Sequence, residues 1–162
     1  MDHCFRAGAY TWDVLRTTHT WDIENRLTGT EVKLWSLDRP IGTANQMSYN
    51  ADGLRVRKYD SGGWKNFVWD LQNILLETNT LGVTQGRYTL QRDVFGNLLS
   101  QRRGATSHFF HFDALGSTAG LTSASQMLTG SYRYKAYGEL LSQSGWTQNP
   151  FRWVGRQGLI KY

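Results

Sequence analysis

Apolar and polar residues alternate over short stretches of the chain, and small or polar residues separate these stretches. Alternation with a period of two is typical of a strand that buries one face. The pattern predicts strands near 51–59, 64–70, 74–79, 86–92, 97–101, 106–112, 117–122, 127–134 and 139–142, with turns at 60–63, 103–104 and 123–126. Residues 1–40 are less regular, and 34–37, which precede Asp38-Arg39-Pro40, could be strand or loop. No stretch has a capped helical period that would outcompete strand.

A five-residue element recurs along the chain: an aromatic residue, then Asp or Asn, two variable residues, and then Gly or Asn. Its full copies are Trp21-Asp22 with Asn25, Tyr49-Asn50 with Gly53, Tyr59-Asp60 with Gly63, Trp69-Asp70 with Asn73, and Phe112-Asp113 with Gly116. Two partial copies are Arg92-Asp93 with Gly96, which lacks the aromatic, and Tyr134-Lys135 with Gly138, which lacks the acid. Composition alone predicts roughly 0.3 full copies in a chain of this length. The element is therefore a repeat, and its spacing of about 20–28 residues lies in the range of repeat units.

The residue types of this element are those of a tight turn. Asp or Asn at the second position can accept backbone N–H bonds from residues further along the turn. Gly or Asn three positions later can adopt the left-handed conformation that closes a short hairpin loop with a bulge. The segments 113–116 and 93–96 fit this description best, and Gly116 in particular is predicted to have a positive φ. The expected fold is all-β, a meander of antiparallel hairpins that forms a curved sheet segment.

Composition excludes several classes of protein. The chain has 162 residues, 40% of them hydrophobic and 14% aromatic, which suits one folded domain and excludes disorder. Its net charge of +5 is scattered, so it favours a solvated surface over a nucleic-acid groove. The single cysteine, Cys4, can form neither an internal disulfide nor a Cys-only zinc site. No secretory signal or membrane-spanning run is present, so membrane insertion is not expected.

Three groups of residues could suggest an enzyme, and each has a simpler explanation. His108 and His111 have the spacing of a metal pair, but on a strand they point to opposite faces. His111 and Asp113 share a face, yet they lack the sequence context of a nucleophile and an oxyanion donor. The segment 60–63 is better explained as a hairpin tip than as a phosphate cradle. No catalytic residue, cofactor or metal is predicted.

A binding module is the alternative function. Aromatic residues beside basic ones, as in Arg87-Tyr88 and Tyr132-Arg133-Tyr134, could stack on sugars or on nucleic-acid bases. A cell-surface glycan would then be the partner. Aromatic residues at a fixed place in each repeat are more economically explained by packing between neighbouring repeats.

Four stretches resemble the Rhs, or YD-repeat, proteins and specifically their repeat-associated core. They are YNADGLRVRK at 49–58, HFDALGST at 111–118, YRYKAYGEL at 132–140 and NPFRWVGR at 149–156. The resemblance runs from about Trp21 to Gly158. It implies a large, hollow β-shell that encloses a variable C-terminal toxin or effector and helps deliver it to another cell. The implied partners are the remainder of the shell and the enclosed toxin domain.

The chain departs from the family pattern at several places. A full shell has many hundreds of residues, and the family's self-cleaving aspartates and toxin have no match here. The resemblance therefore implies three parts: 1–40 as an irregular segment with the first repeats, 41–158 as the core, and 159–162 as a truncated tail. The chain is expected to be a fragment or a truncated reading frame that self-associates through its sheet edges. Within a larger protein it would be exported or at the cell surface, and alone it would be cytoplasmic.

Overall fold

The computed structural model describes residues 3–6, 12–35, 37–42, 44–93 and 96–157. These residues form fourteen β-strands and one short 3-10 helix, Gly155–Gln157. The strands are β1 His3–Arg6, β2 Trp12–Trp21, β3 Leu27–Leu34, β4 Arg39–Pro40, β5 Asn45–Tyr49, β6 Arg55–Asp60, β7 Gly63–Asp70, β8 Asn73–Thr78, β9 Thr84–Leu90, β10 Leu98–Arg103, β11 Thr106–Phe112, β12 Thr118–Ser123, β13 Leu128–Tyr134 and β14 Leu140–Gly145. The predicted all-β class is confirmed.

The chain divides into two compact units, residues 1–66 and 67–162, and the boundary falls within β7. In the first unit the strand order is β1-β2-β3-β5-β6-β7, and β4 pairs with β3. In the second unit β7 to β14 follow one another in chain order. The registered pairs are antiparallel throughout, because short turns return the chain beside the strand it has just left. The predicted meander of hairpins is therefore confirmed.

The predicted strands agree with the observed ones except near the N-terminus. The strand predicted over 106–112 coincides with β11, and the other predicted strands from 64 onward differ by a few residues at their ends. The strand predicted over 51–59 is wrong at its start, because 51–54 form the turn between β5 and β6. Residues 12–34, expected to be less regular, contain the regularly paired hairpin of β2 and β3. Of 34–37, Leu34 ends β3, Trp35 and Leu37 belong to no strand, and residue 36 lies outside the described residues. Arg39 and Pro40 then form β4.

The second unit has a continuous buried core. Its members come from β7 to β13 and from the segment after β14: Phe67, Ile74, Tyr88, Leu98, Phe110, Leu121, Tyr132 and Phe151. Tyr88, Phe110 and Tyr132 are inward-facing residues of strands whose neighbouring positions face solvent. Phe151, which belongs to no strand, fills the centre of this face and is fully buried.

Candidate functional site

Six turns in the described part of the chain share one backbone hydrogen-bond pattern. The N–H of the first residue donates to the carbonyl of the fifth, and the N–H of the fourth donates to the carbonyl of the first. The turns are 22–26, 50–54, 79–83, 113–117, 123–127 and 135–139. In each turn the fourth residue has a positive φ: Asn25 59°, Gly53 77°, Gly82 77°, Gly116 81°, Gln126 63° and Gly138 83°. This conformation adds a bulge beside the turn and sets the register of the hairpin.

The side chain at the first position reinforces the turn where it is Asp or Asn. Asp113 Oδ1 accepts the backbone N–H groups of Leu115 at 2.9 Å and Ser117 at 2.8 Å. Asp22, Asn50 and Asn79 accept N–H groups in the same way. These oxygens are engaged in local structure, which is the role expected of an Asx-type turn.

The turn at 135–139 closes without an acid at its first position. Lys135 has no acceptor oxygen, and its Nζ instead lies 2.9 Å from Glu139 Oε1 across the turn. The two backbone bonds are kept, at 2.8 and 3.0 Å. The backbone pattern and the left-handed fourth residue are therefore sufficient, and the Asx side chain is an added stabilisation.

The motif search missed the turn that begins at Asn79 and did not assign the predicted turn at 123–126 to the repeat, because neither Asn79 nor Ser123 is preceded by an aromatic residue. Asn79 Oδ1 accepts the N–H of Val83 at 2.9 Å, and Ser123 Oγ accepts the N–H of Met127 at 3.2 Å. A search for Asn, Asp or Ser followed three positions later by Gly finds the first of them. The second ends at Gln126, whose positive φ gives no such signal.

The copies at Tyr59 and Trp69 form tighter hairpins than the other copies. Asp60 pairs directly with Gly63 across a two-residue tip, and its Oδ1 accepts the Gly62 N–H at 2.8 Å. Lys58 and Lys65 lie 3.5 and 3.3 Å from Asp60 Oδ2. Burial raises the pKa of Asp60, but the Gly62 N–H and the two lysines outweigh it and hold that pKa below its ordinary value. The segment 60–63 is thus a hairpin tip that carries its own carboxylate.

The last residue of each repeat copy is expected to adopt the left-handed conformation. For Asn73 this expectation is wrong. Leu71 has the positive φ, 52°, between β7 and β8, whereas Asn73 begins β8 and is buried. Asn73 Nδ2 donates to the Asp93 carbonyl at 2.8 Å, and its Oδ1 accepts the Gly96 N–H at 2.9 Å. Asn73 therefore braces the turn of the partial copy that follows it in the sequence.

Gly96 lies so close to a neighbouring backbone that no side chain fits there. A Cβ atom on Gly96 would overlap the carbonyl of Gln91, so a larger residue would force the backbone apart. The two residues between Asp93 and Gly96 lie outside the described residues, and the predicted turn conformation there is not tested.

The aromatic residues of the repeats differ in burial between the two units. Trp69, Phe112 and Tyr134 pack against the core of the second unit. In the first unit Tyr49 donates its hydroxyl to the Leu27 carbonyl at 2.8 Å, whereas Trp21 is 57% exposed. Packing between neighbouring repeats thus accounts for the aromatic position in most copies.

The segment 147–157, here called the C-terminal segment, lies across the inward face of the second unit. The Phe151 ring centroid is 4.7 Å from that of Tyr88 and 6.2 Å from that of Phe110, both in edge-to-face orientation. Asn149 Oδ1 accepts the Phe151 N–H at 2.8 Å and so bends the chain into the core. Backbone bonds then fix the segment, since the Thr118 N–H donates to the Arg152 carbonyl at 2.8 Å.

The C-terminal segment also holds strands and turns that are distant in sequence. Gln101 Nε2 donates to the Gln148 carbonyl at 2.7 Å, and the Arg156 N–H donates to the Gly116 carbonyl at 3.0 Å. Trp153 packs on Gly138, where a Cβ atom would lie 2.7 Å from the indole ring. One segment therefore ties β10 to the turns at 113–117 and 135–139.

A buried ion pair lies beside this core. Arg103 Nη1 and Nη2 lie 3.0 Å from the two oxygens of Glu77, which is 3% exposed. Tyr88 donates its hydroxyl to the same carboxylate, and burial raises the pKa of Tyr88 well above its ordinary value. Gly86 leaves room for the guanidinium, because a Cβ atom there would lie 3.1 Å from Arg103 Nη1. The Glu77 carboxylate and the Arg103 guanidinium both lose hydration on burial, so removal of either partner would leave a buried, unpaired charge.

The geometry of the two histidines does not assemble a catalytic or metal site. His108 faces inward, where burial lowers its pKa, and its Nδ1 has no hydrogen-bond partner among the described residues. His111 faces outward, with Nε2 2.9 Å from Thr122 Oγ1. Asp113 Oδ1 is engaged in its turn. Among the residues that the structure describes, no three His, Cys, Asp or Glu side chains are grouped so that they could hold a metal ion.

The aromatic residues considered for a binding face are largely buried. Tyr88 is 4% exposed and Tyr132 is 6% exposed, and Tyr134 packs against the core. The basic neighbours Arg87 and Arg133 are exposed on the opposite face. Because the aromatic and basic side chains point to opposite faces of the sheet, these residues do not form a mixed stacking surface.

The fold and these contacts define a class of structure: an antiparallel meander whose hairpins are closed by a repeated left-handed turn. No family model matches the chain. It is 28% identical over 145 residues to the tRNA3(Ser)-specific nuclease WapA of Bacillus spizizenii and, with the same identity and length, to the tRNA nuclease WapA of Bacillus subtilis. Each match covers 86% of this chain, and the chain spans 6% of the length of these relatives.

Among solved structures, a structure of the Photorhabdus luminescens Tc holotoxin pore matches 83% of this chain and 10% of its own chain. The two are 10% identical, with a TM-score of 0.38. Within the described residues, no helix has the length and apolar character needed to cross a membrane.

Proposed function

We propose that this chain is a structural YD-repeat segment of a larger Rhs-type β-shell, which encloses a C-terminal toxin or effector and helps deliver it. Its role is that of container wall, with no catalytic residues of its own. The larger protein would be exported or presented at the cell surface. Its partners are the remainder of the shell, the enclosed domain and, through the sheet edges, neighbouring strands.

The repeated turn is the observation that carries this proposal. Six turns use the same two backbone bonds and the same left-handed fourth residue, although their side chains differ. Such repetition builds an extended sheet hairpin by hairpin, which is what a wall requires. The polar side chains of the motif are used to close these turns, as Asp113 and Asn50 illustrate.

The similarity to the two nucleases supports a role as one part of a much longer protein. The match covers most of this chain and a small fraction of theirs. A catalytic domain would need a cluster of acid, base or nucleophile groups in a cleft. His108 and His111 point to opposite faces of the sheet. The carboxylates of Asp22, Asp60 and Asp113 are engaged in turns.

A graft into the Bacillus subtilis relative tests the proposal. The 145-residue stretch that matches would be deleted, or replaced by this chain, and the remainder of the protein probed by limited proteolysis. We expect the deletion to make the rest of the protein protease-sensitive and the graft to restore protection. A graft carrying Phe151→Ala, which breaks the core, should fail to protect, whereas one carrying Trp146→Ala should protect.

The purified chain would be assayed in parallel for cleavage of tRNA. We expect no cleavage. Cleavage by the chain alone, lost on substitution of His108 or His111, would contradict the proposed role. Equal protease sensitivity of the graft and the deletion would contradict the wall function.

A further inference from the structure

Two arginines face each other on the outward surface of the second unit. Arg87 on β9 and Arg102 on β10 are direct partners in the antiparallel register, and both are exposed. Side chains of directly opposed residues start about 5 Å apart at their Cβ atoms and leave the same face of the sheet. The two guanidinium groups are therefore neighbours on one surface.

No acidic side chain neutralises this pair within the described residues. Neither arginine takes part in an ion pair there, and Arg102 Nε makes only a long bond of 3.4 Å to the Gly104 carbonyl. The acid nearest in register, Glu77, points to the opposite face and is paired with Arg103. Like charges placed directly opposite each other destabilise a sheet. The pair thus has an unfavourable interaction that an anion would relieve.

A cavity of about 250 Å³ lies over the two arginines. Thr84, Gln85 and Gly104 complete its lining. The Gln85 amide makes only a long bond of 3.5 Å to the Val83 carbonyl, so it can reorient to donate beside the two guanidinium groups. Gly104 has a φ of 57°, and a Cβ atom placed on it would meet nothing within 4 Å, so the cavity is open on this side. Both charged side chains of the lining are cations, which favours an anion as the ligand.

We propose that this cavity binds a phosphate-class oxyanion, held between Arg87 and Arg102. Each guanidinium presents a planar fork of N–H donors that matches two oxygens of a tetrahedral oxyanion. Gln85 is two positions from Arg87 on β9, so it shares the outward face and its amide can turn toward a remaining oxygen. This site is independent of the wall function proposed above, because its two arginines lie on the outward face and belong neither to the six repeated turns nor to the buried core.

The experiment is a thermal-unfolding titration of the full chain with inorganic phosphate, against sodium chloride at matched ionic strength. The unfolding midpoint of the natural chain should rise saturably with phosphate and stay flat with chloride. Arg87→Gln and Arg102→Gln should each weaken the apparent phosphate affinity on the order of ten-fold, since each removes one charge-assisted fork. Sulfate, a second tetrahedral oxyanion, should compete with phosphate.

Arg133→Gln is the matched control. Arg133 is exposed on the outward face of β13, opposite Ser142, so its loss removes one positive charge without touching the cavity. This variant should bind phosphate as the natural chain does. Without phosphate, the Arg87 and Arg102 variants should unfold at the midpoint of the natural chain or above it, which separates lost binding from misfolding. The proposal would be overturned by an equal loss of phosphate affinity in the control, by an unchanged phosphate affinity in both cavity variants, or by no rise of the unfolding midpoint in the natural chain.

Discussion

Removal of the Phe151 ring should destabilise the second unit more than removal of any exposed aromatic side chain. Phe151 is fully buried, and its ring contacts the rings of Tyr88 and Phe110. Truncation of a fully buried Phe to Ala costs about 3–5 kcal/mol, because transfer energy is lost and a cavity remains. A domain of this size has a total stability of about 5–15 kcal/mol. Phe151→Ala should therefore remove a large fraction of it.

The assay is urea unfolding followed by circular dichroism, with two further variants. Phe151→Leu keeps most of the volume and should cost less than Phe151→Ala. Trp146→Ala, at a side chain that is 102% exposed just before the C-terminal segment, should change the free energy of unfolding by less than about 0.5 kcal/mol. If Phe151→Ala cost no more than Trp146→Ala, the C-terminal segment would not be docked in the core, and the reasoning would be refuted.

Three further predictions concern the turns and the buried tyrosine. Gly116→Val should lower the free energy of unfolding by more than about 1 kcal/mol, because the backbone φ of Gly116 is 81°. Asp113→Ala deletes two local hydrogen bonds and should lower it by less. The reverse order in urea unfolding would contradict this prediction. Gly138→Ala should destabilise the chain more than Gly53→Ala. Both glycines have a positive φ, but only at Gly138 would a Cβ atom lie 2.7 Å from the Trp153 ring. Equal losses of stability in the same assay would argue against that packing. Burial raises the pKa of Tyr88, so above about pH 10 the unfolded chain releases a proton that the folded chain keeps. The free energy of unfolding should therefore fall as pH rises, by about 1.4 kcal/mol per pH unit. If the free energy of unfolding of the natural chain and of Tyr88→Phe changed equally from pH 9 to 11, the prediction would be contradicted.

The sequence indicates local structure well, because turns and alternation are encoded by neighbouring residues. The positive φ expected at Gly116 is present, and β11 has the predicted bounds. The turn predicted at 123–126 is also present, but its conformation could not be predicted, since Gln126 adopts the left-handed conformation without being Gly or Asn. Here the flanking strand pairing determines the backbone, and residue preference is overridden.

Contacts between distant residues were not predictable from the sequence pattern. The role of Asn73 depends on the turn that follows β9, and the pairing of Glu77 with Arg103 joins residues separated by 26 positions. The path of Phe151 into the core depends on which strands surround it. The number and spacing of hairpins can thus be inferred from local chemistry, whereas the residues that close the core require the register of the whole sheet.

The central claim is that these residues form part of a larger wall, and sedimentation of the purified chain over a concentration series tests it most directly. Among the described strands, β14 pairs only with β13, so one of its edges is free to pair, and Leu141 on it is 57% exposed. We predict self-association that grows with concentration despite the net charge of +5, and that weakens in Leu141→Lys. A chain that unfolds cooperatively and stays monomeric at high concentration would show that these residues complete a fold on their own, and would contradict the account.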